Sequence, residues 1–377
     1  MDFELSEEQV LLKDSVDRFV QDNYSPEDRL KLSQTELGFS RDHWKTMAEL
    51  GWLGMAFSEE VGGFGGGAVE VMIMMESMGR GLVLEPFVST VLLGGKLVAE
   101  AGSAEQIEQI IPSLIEGETM LAFAYAEAQS RFNLNDVQTT ASKSGDNYIL
   151  NGTKAVVYHG GTADKIIVSA RTSGDALDAE GISLFIVDKD AAGLDIRSYA
   201  TVDGQRAADI RFENVSVPAA NLLGAEGKAA PIIEKVVDQA IGALCAEAVG
   251  AMAASNEITN EYLKTRKQFG VPIGKFQVLQ HRMVDMYMDA EQSKSMSDMV
   301  AMKLDIDYND DARKAVSAAK AQIGKAAKFI GQQSVQLHGG MGMTDEYSIG
   351  HYFKRLTTLE MLFGNTDYHL NRFSSLS

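Results

Sequence analysis

The apolar period of this chain changes twice, from helical to alternating and back, which requires separate helical and β blocks. In residues 1–118, Ser6-Glu7-Glu8-Gln9 forms a capping-box pattern, and Leu12, Val16, Phe19 and Val20 follow at helical spacing. The helical period resumes over Val71 to Met78. Residues 119–226 hold short β-rich segments, among them 121–126, 147–151, 165–170, 182–187 and 208–212, separated by turn signals such as Ser144-Gly145-Asp146-Asn147 and Asn151-Gly152. From residue 227 to 377 the helical period returns, with Val236, Val237, Ala240, Leu244, Ala248 and Ala251 on one apolar face. The expected fold class is α+β multidomain. A helical N-terminal domain (1–118) precedes a middle antiparallel β-barrel or sandwich (119–226) and a C-terminal four-helix bundle (227–377).

Composition narrows the partners. The 377 residues carry a formal charge of −19, which argues against a phosphate backbone as ligand. A nucleotide cofactor needs only a few local donors and stays allowed. One cysteine, Cys245, excludes an intrachain disulfide and a cysteine-rich metal site, so no metal is expected. No uninterrupted apolar run approaches the ~18 residues of a membrane span. The acidic opening Met1-Asp2-Phe3-Glu4-Leu5 lacks the features of a signal peptide, and the expected location is cytoplasmic.

Two segments carry the chemistry. Tyr262 to Ile273 contains Arg266-Lys267-Gln268-Phe269-Gly270, and Gln336-Leu337-His338-Gly339-Gly340-Met341-Gly342 follows some 70 residues later. Each couples a helix to a glycine-bearing turn and a guanidinium or amide donor, which suits an anionic cofactor. The glycine-rich stretch Val61 to Gly67 has no Lys-Ser/Thr partner and no preceding strand, so it reads as a turn between helices.

The block order together with these segments resembles the acyl-CoA dehydrogenase family over essentially the whole chain. Leu50-Gly51-Trp52-Leu53-Gly54 with Glu60 to Gly65 is similar to its first-domain signature, with Ser58 where a proline is usual. Phe212 to Pro218 with Asn221 to Gly224 is similar to its exit from the β domain. The resemblance implies FAD and the removal of α and β hydrogens from an acyl-CoA thioester. It also implies an electron-transferring flavoprotein as acceptor, a role in fatty acid or steroid catabolism (β-oxidation), and a tetramer. The small subunits of heteromeric enzymes, which pair with a related larger chain, are the most similar branch. By position, Arg266, Gln268, Phe269, Gln336, Gly339, Gly340 and Thr366 are the implied cofactor residues, the Arg266 group acting on a neighbouring subunit's flavin. Of the family's Glu-Pro-Gly…Gly-Ser-Asp loop only Glu127 is kept, and its Trp-Ile-Thr segment becomes Val156-Val157-Tyr158.

The resemblance also locates a gap. Counting from Arg355, the usual catalytic glutamate falls on Gly364, and the alternative position on the first long C-terminal helix falls on Ala240. Glu247, two turns beyond Ala240 and about 10 Å along the axis, is a candidate base in an apolar stretch. The competing reading is a buried glutamate paired with an arginine. Glu360 and Asp367 are rivals. The Gly364 N–H can still donate to the thioester oxygen, and its missing side chain is expected to open room for a bulky or branched acyl group. Two alternatives stand beside the dehydrogenase. One is a partner subunit that completes FAD sites without doing chemistry; the other is a flavin oxidase or monooxygenase on the same fold.

Overall fold

A computed structural model describes residues 5–376, so the acidic opening at 1–4 lies outside the described residues. The chain begins with α1 (Glu7–Asn23), α2 (Pro26–Ser33), α3 (Arg41–Glu49), α4 (Ala68–Gly81), a π-helical stretch Val88–Gly95, α5 (Lys96–Ala101) and α6 (Ala104–Ile115). There follow β1 (Leu121–Ala124), β2 (Thr140–Ser144), β3 (Asn147–Tyr158), β4 (Lys165–Arg171), β5 (Ile182–Asp188), β6 (Leu194–Ala200), β7 (Arg206–Pro218) and β8 (Leu222–Leu223). Next come α7 (Ala230–Thr265), the two short strands β9 (Lys267–Gln268) and β10 (Val271–Pro272), α8 (Gln277–Ile306), α9 (Asp310–His338), α10 (Ile349–Met361) and α11 (Thr366–Ser375). The Ser6 capping box forms, with Ser6 Oγ accepting from the Gln9 N–H.

These elements make two compact units. One contains Ser33–Gly66 and Leu84–Ala240; the other contains the described parts of residues 1–32, 67–83 and 241–377. The first holds an eight-stranded sheet in the order β6-β7-β3-β2-β4-β5-β8, with β1 paired to β4. Its core includes Tyr148, Leu150, Val168, Phe185, Ile210 and Phe212.

The sheet corrects the antiparallel barrel expected above. It is open, with β6 and β8 at the ends of the order, and mixed, because β1 runs parallel to β4. No hairpin joins those two strands, so nothing forces them antiparallel. The Asn151-Gly152 turn signal lies inside β3, at a register shift between Leu150 and Gly152. Asn151 Oδ1 accepts from the Asn214 N–H at 2.8 Å, and Gly152 takes φ +151° with Thr139 Oγ1 only 2.5 Å from where a Cβ would stand. The dipeptide therefore marks a bulge that bends a long strand, not its end.

The second unit is helical. α9 supplies its axis, burying Val316, Ile323, Ile330 and Leu337 at seven-residue intervals. Three of the bundle's helices, α7, α8 and α9, are long; α10 has 13 residues and stops ahead of Phe363 and Gly364 at φ +55° and +122°. α4 and the described C-terminal part of α7 cross at glycines. A Cβ on Gly79 would lie 2.1 Å from the Glu247 carbonyl oxygen, and one on Gly250 would lie 1.9 Å from that of Glu76. One 18-residue window of α7 has a mean hydropathy of 1.4, long and apolar enough to cross a membrane by composition, although no unbroken apolar run approaches that length. That window is 89% buried, as in a core helix.

Candidate functional site

The two sequence segments meet in space. Tyr262, one turn before Arg266, lies against His338, the residue before Gly339, with ring centroids 4.3 Å apart. The Tyr262 hydroxyl donates to the His338 carbonyl at 3.4 Å, and the Tyr347 ring closes on both, 5.1 Å from His338 and 6.2 Å from Tyr262. This aromatic cluster joins the last turns of α7 and α9.

The surface beside that cluster has room for a ligand. Arg266, Gln268, Gln336, Gly339 and Gly340 are exposed. No atom lies within 4 Å of where a Cβ would stand on Gly339 or Gly340, and Gly339 takes φ +59°. Phe269, at φ +53°, is 92% exposed, its ring 6.2 Å from that of Phe276. An exposed guanidinium, two amides, a bare-backbone turn and an uncovered aromatic fit a dinucleotide carrying a pyrophosphate and flat rings. Among the described residues, no group of three or more His, Cys, Asp or Glu could hold a metal ion.

Thr366 stands elsewhere. Its N–H and Oγ1 both donate to Glu360 Oε1, at 3.1 and 3.2 Å, at the start of α11. Its hydroxyl lies beside Gly324, which is about 20 Å along α9 from His338. The expected cofactor residues therefore form two groups on one chain. Such a split suits a site completed by a neighbouring copy or companion.

Glu247 is 4% exposed, and both of its carboxylate oxygens accept from Arg355: Nε to Oε1 at 2.6 Å and Nη2 to Oε2 at 2.8 Å. That bidentate pair ties α7 to α10. It matches the competing reading of Glu247 and leaves neither oxygen free to take a proton without breaking a buried charge pair.

Gly364 is buried, and its expected open space is absent. A Cβ there would stand 2.4 Å from Tyr368 Cδ1 and 2.7 Å from His369 Nε2. The place a Cβ would take is occupied by the first turn of α11. Lys320, 3% exposed on α9, donates to the carbonyls of Leu359, Glu360 and Gly364 at 2.7, 2.8 and 3.0 Å. Burial brings its ammonium down to about 8, against the opposing pull of Cys245 and Glu360.

Burial, with the Lys320 charge, also holds the His369 imidazole down at about 3. An unfolded histidine binds its proton near 6.5, so between pH 6.5 and 3 the unfolded chain holds more protons than the folded one. Stability from this group is complete above pH 6.5 and is lost as pH falls towards 3. The expected loss between pH 7 and 5 is about 2 kcal/mol. His369→Gln should flatten that part of the urea-denaturation pH profile; an unchanged slope would contradict a neutral buried imidazole.

In the β-sheet unit, Glu127 anchors the loop after β1. It accepts from Lys154 Nζ at 2.8 Å, from the N–H groups of Gln138 and Thr139 at 2.9 and 3.0 Å, and from Gln129 Nε2 at 2.9 Å. Burial pushes the carboxyl up, but the Lys154 charge and these hydrogen bonds bring it down to about 2. Sequence reading singled out neither Lys154 nor Lys320, two buried lysines that hold Glu127 and the end of α10. The available signal was a lysine placed on the inward face of a strand or on the buried stripe of α9.

Comparison with known proteins agrees with this architecture. The N-terminal, middle and C-terminal domain families of acyl-CoA dehydrogenase match residues 6–118, 122–215 and 231–375. The short-chain-specific acyl-CoA dehydrogenase of Clostridium acetobutylicum is 30% identical, with 97% of each chain covered. The mitochondrial isovaleryl-CoA dehydrogenase of Solanum tuberosum is 32% identical, covering 94% of this chain and 87% of that one. Among solved structures, the ChsE4–ChsE5 complex from Mycobacterium tuberculosis superposes with a TM-score of 0.89 at 26% identity, covering 100% of this chain and 98% of the other. With all three domains matched in order and whole-length relatives at this identity, the chain belongs to the acyl-CoA dehydrogenase family, whose enzymes are FAD-dependent oxidoreductases.

Proposed function

We propose that this chain is one subunit of an oligomeric enzyme that dehydrogenates the α,β bond of an acyl-CoA, and that a companion chain supplies the proton acceptor. The observation that carries the second half is the Glu247–Arg355 pair, combined with Gly364 and Ala240 at the two positions where the family places its base. The similarity to the ChsE4–ChsE5 complex supports a companion chain. An electron-transferring flavoprotein is the proposed acceptor.

Bound FAD would supply the acceptor for the β-hydride. This chain's own part is binding and orientation. Arg266 offers paired donors to a pyrophosphate, Gln268 and Gln336 offer amides, and Gly339 and Gly340 allow backbone approach. Phe269 gains cover for an uncovered ring. Thr366 keeps its hydroxyl lone pairs free beyond its own donation to Glu360. The Gly364 N–H is the donor proposed for the thioester oxygen, where charge builds as the α-proton leaves. A bulky or branched acyl group remains the proposed substrate, supported by the similarity to an isovaleryl-CoA dehydrogenase and not by free volume at Gly364.

One purification tests the reading. The chain is isolated alone and with its co-purifying companion, its visible spectrum is recorded, and turnover is followed with butyryl-CoA and isovaleryl-CoA under a ferrocenium acceptor. Flavin absorbance and turnover are expected only with the companion, isovaleryl-CoA is expected to be the faster substrate, and Arg266→Met is expected to lose most bound flavin. Full turnover by the isolated wild-type chain that Glu247→Gln abolishes would restore Glu247 as the base.

A further inference from the structure

The turn between α10 and α11 is held from both sides by groups that no family motif mentioned above includes. Phe363 sits at φ +55° and Gly364 at φ +122°, both in the left-handed region that side chains disfavour. Such a backbone persists only when its surroundings fix it. Two contacts fix it. His369 Nε2 lies 3.1 Å from the Phe363 carbonyl, and Lys320 Nζ donates to the Gly364 carbonyl at 3.0 Å.

The first contact has a directional consequence. A carbonyl only accepts, so Nε2 must carry the imidazole proton and Nδ1 is left as the acceptor, 3.5 Å from Ser317 Oγ. Arg372 Nη1 donates to that same Ser317 oxygen at 3.0 Å, which leaves the serine proton for the imidazole. The Phe363 carbonyl and the Gly364 N–H share one planar trans peptide, so fixing the first aims the second in the opposite direction. The Gly364 N–H is only weakly committed at home, at 3.4 Å from the Met361 carbonyl. A donor so placed can turn to a stronger acceptor without a large loss.

We propose that His369 and Lys320 are positioning residues that aim the Gly364 N–H at the thioester oxygen of the bound acyl-CoA. The idea rests on the reading of Gly364 given under the proposed function. Lys320 works through the far side of the same turn. With the C-terminal carbonyls of α10 also on its ammonium, it holds the helix end and Gly364 as one piece. A hydrogen-bond donor that is 1 Å or so out of place forfeits most of its effect on a developing charge, which is why a remote support can control rate.

The test uses the flavin-loaded enzyme with its companion and 3,3-dimethylbutanoyl-CoA carrying ¹³C at the thioester carbonyl. That probe has no β-hydrogen, so it binds without being oxidised. Isotope-edited infrared spectra report polarisation of its carbonyl. The wild type should show the band shifted to lower frequency than in water. His369→Phe and Lys320→Met should each lose at least half of that shift, and kcat for isovaleryl-CoA should fall about 10- to 100-fold with KM changed less than threefold. His369→Gln, which keeps an N–H donor, should retain most of both. Ser317→Ala is a milder variant, should either replacement fail to fold, and should show a partial loss. A wild-type shift that all variants preserve overturns the positioning role and leaves the Gly364 reading intact. No shift in the wild type removes the Gly364 reading, and the positioning role falls with it.

Discussion

Arg355→Met is expected to cost about 3–5 kcal/mol of folding stability, among the largest effects available to a single change in this chain. The guanidinium is the bidentate partner of a carboxylate that is 4% exposed, and its removal leaves that charge buried among Ala243, Leu244, Ala246 and Ala248. The double variant Arg355→Met, Glu247→Met should recover most of the loss, because the desolvation cost of both ions goes with them. Urea denaturation of the four proteins of this cycle measures the coupling. A single Arg355→Met variant within 1 kcal/mol of wild type would show that the pair is not held as described.

The second large effect is expected where α4 crosses α7. Gly250→Ala places a methyl 1.9 Å from the Glu76 carbonyl oxygen, and Gly79→Ala places one 2.1 Å from that of Glu247. Both obstacles are backbone, so no rotamer change relieves them, and the helices must move apart. Overpacking of this kind costs about 1–3 kcal/mol, and more where backbone has to shift. Gly242→Ala, elsewhere on α7, is the control. Its nearest neighbours are the Leu304 and Val300 methyls at 3.0 and 3.1 Å, ends of side chains that can yield. Thermal unfolding should rank Gly250 and Gly79 well below Gly242. Equal midpoints for all three would contradict the close crossing.

Much of the fold could be read from local pattern. The helical period around Val16 and Phe19, the Ser6 capping box, the β-rich middle and the returning helices all describe single elements, and single elements are governed by near neighbours in the chain. The Arg266 and Gly339 segments could be singled out in the same way, because glycine and a paired donor suit close approach to an anion. The errors arose where a residue's partner is distant. Asn151-Gly152 has the composition of a turn, but Asn214 and Thr139 make it a bulge. The parallel placement of β1 beside β4 depends on a pairing of segments some 40 residues apart. Gly364 suggests spare volume until Tyr368 and His369 are seen to occupy it.

What the order of residues determined by itself is the sequence of helical and β blocks, the family, and the two glycine-bearing segments that suit a dinucleotide. The blocks and the glycine-bearing segments follow from period, capping and backbone permissiveness, which act over a few residues; the family follows from the resemblance its motifs carry. Tertiary structure alone decided what the charged groups do. It paired Glu247 with Arg355, and drew Lys320 and His369 around one turn. The reason is physical: the state and role of a buried ion depend on what replaces its water, and those replacements come from helices far apart in the chain.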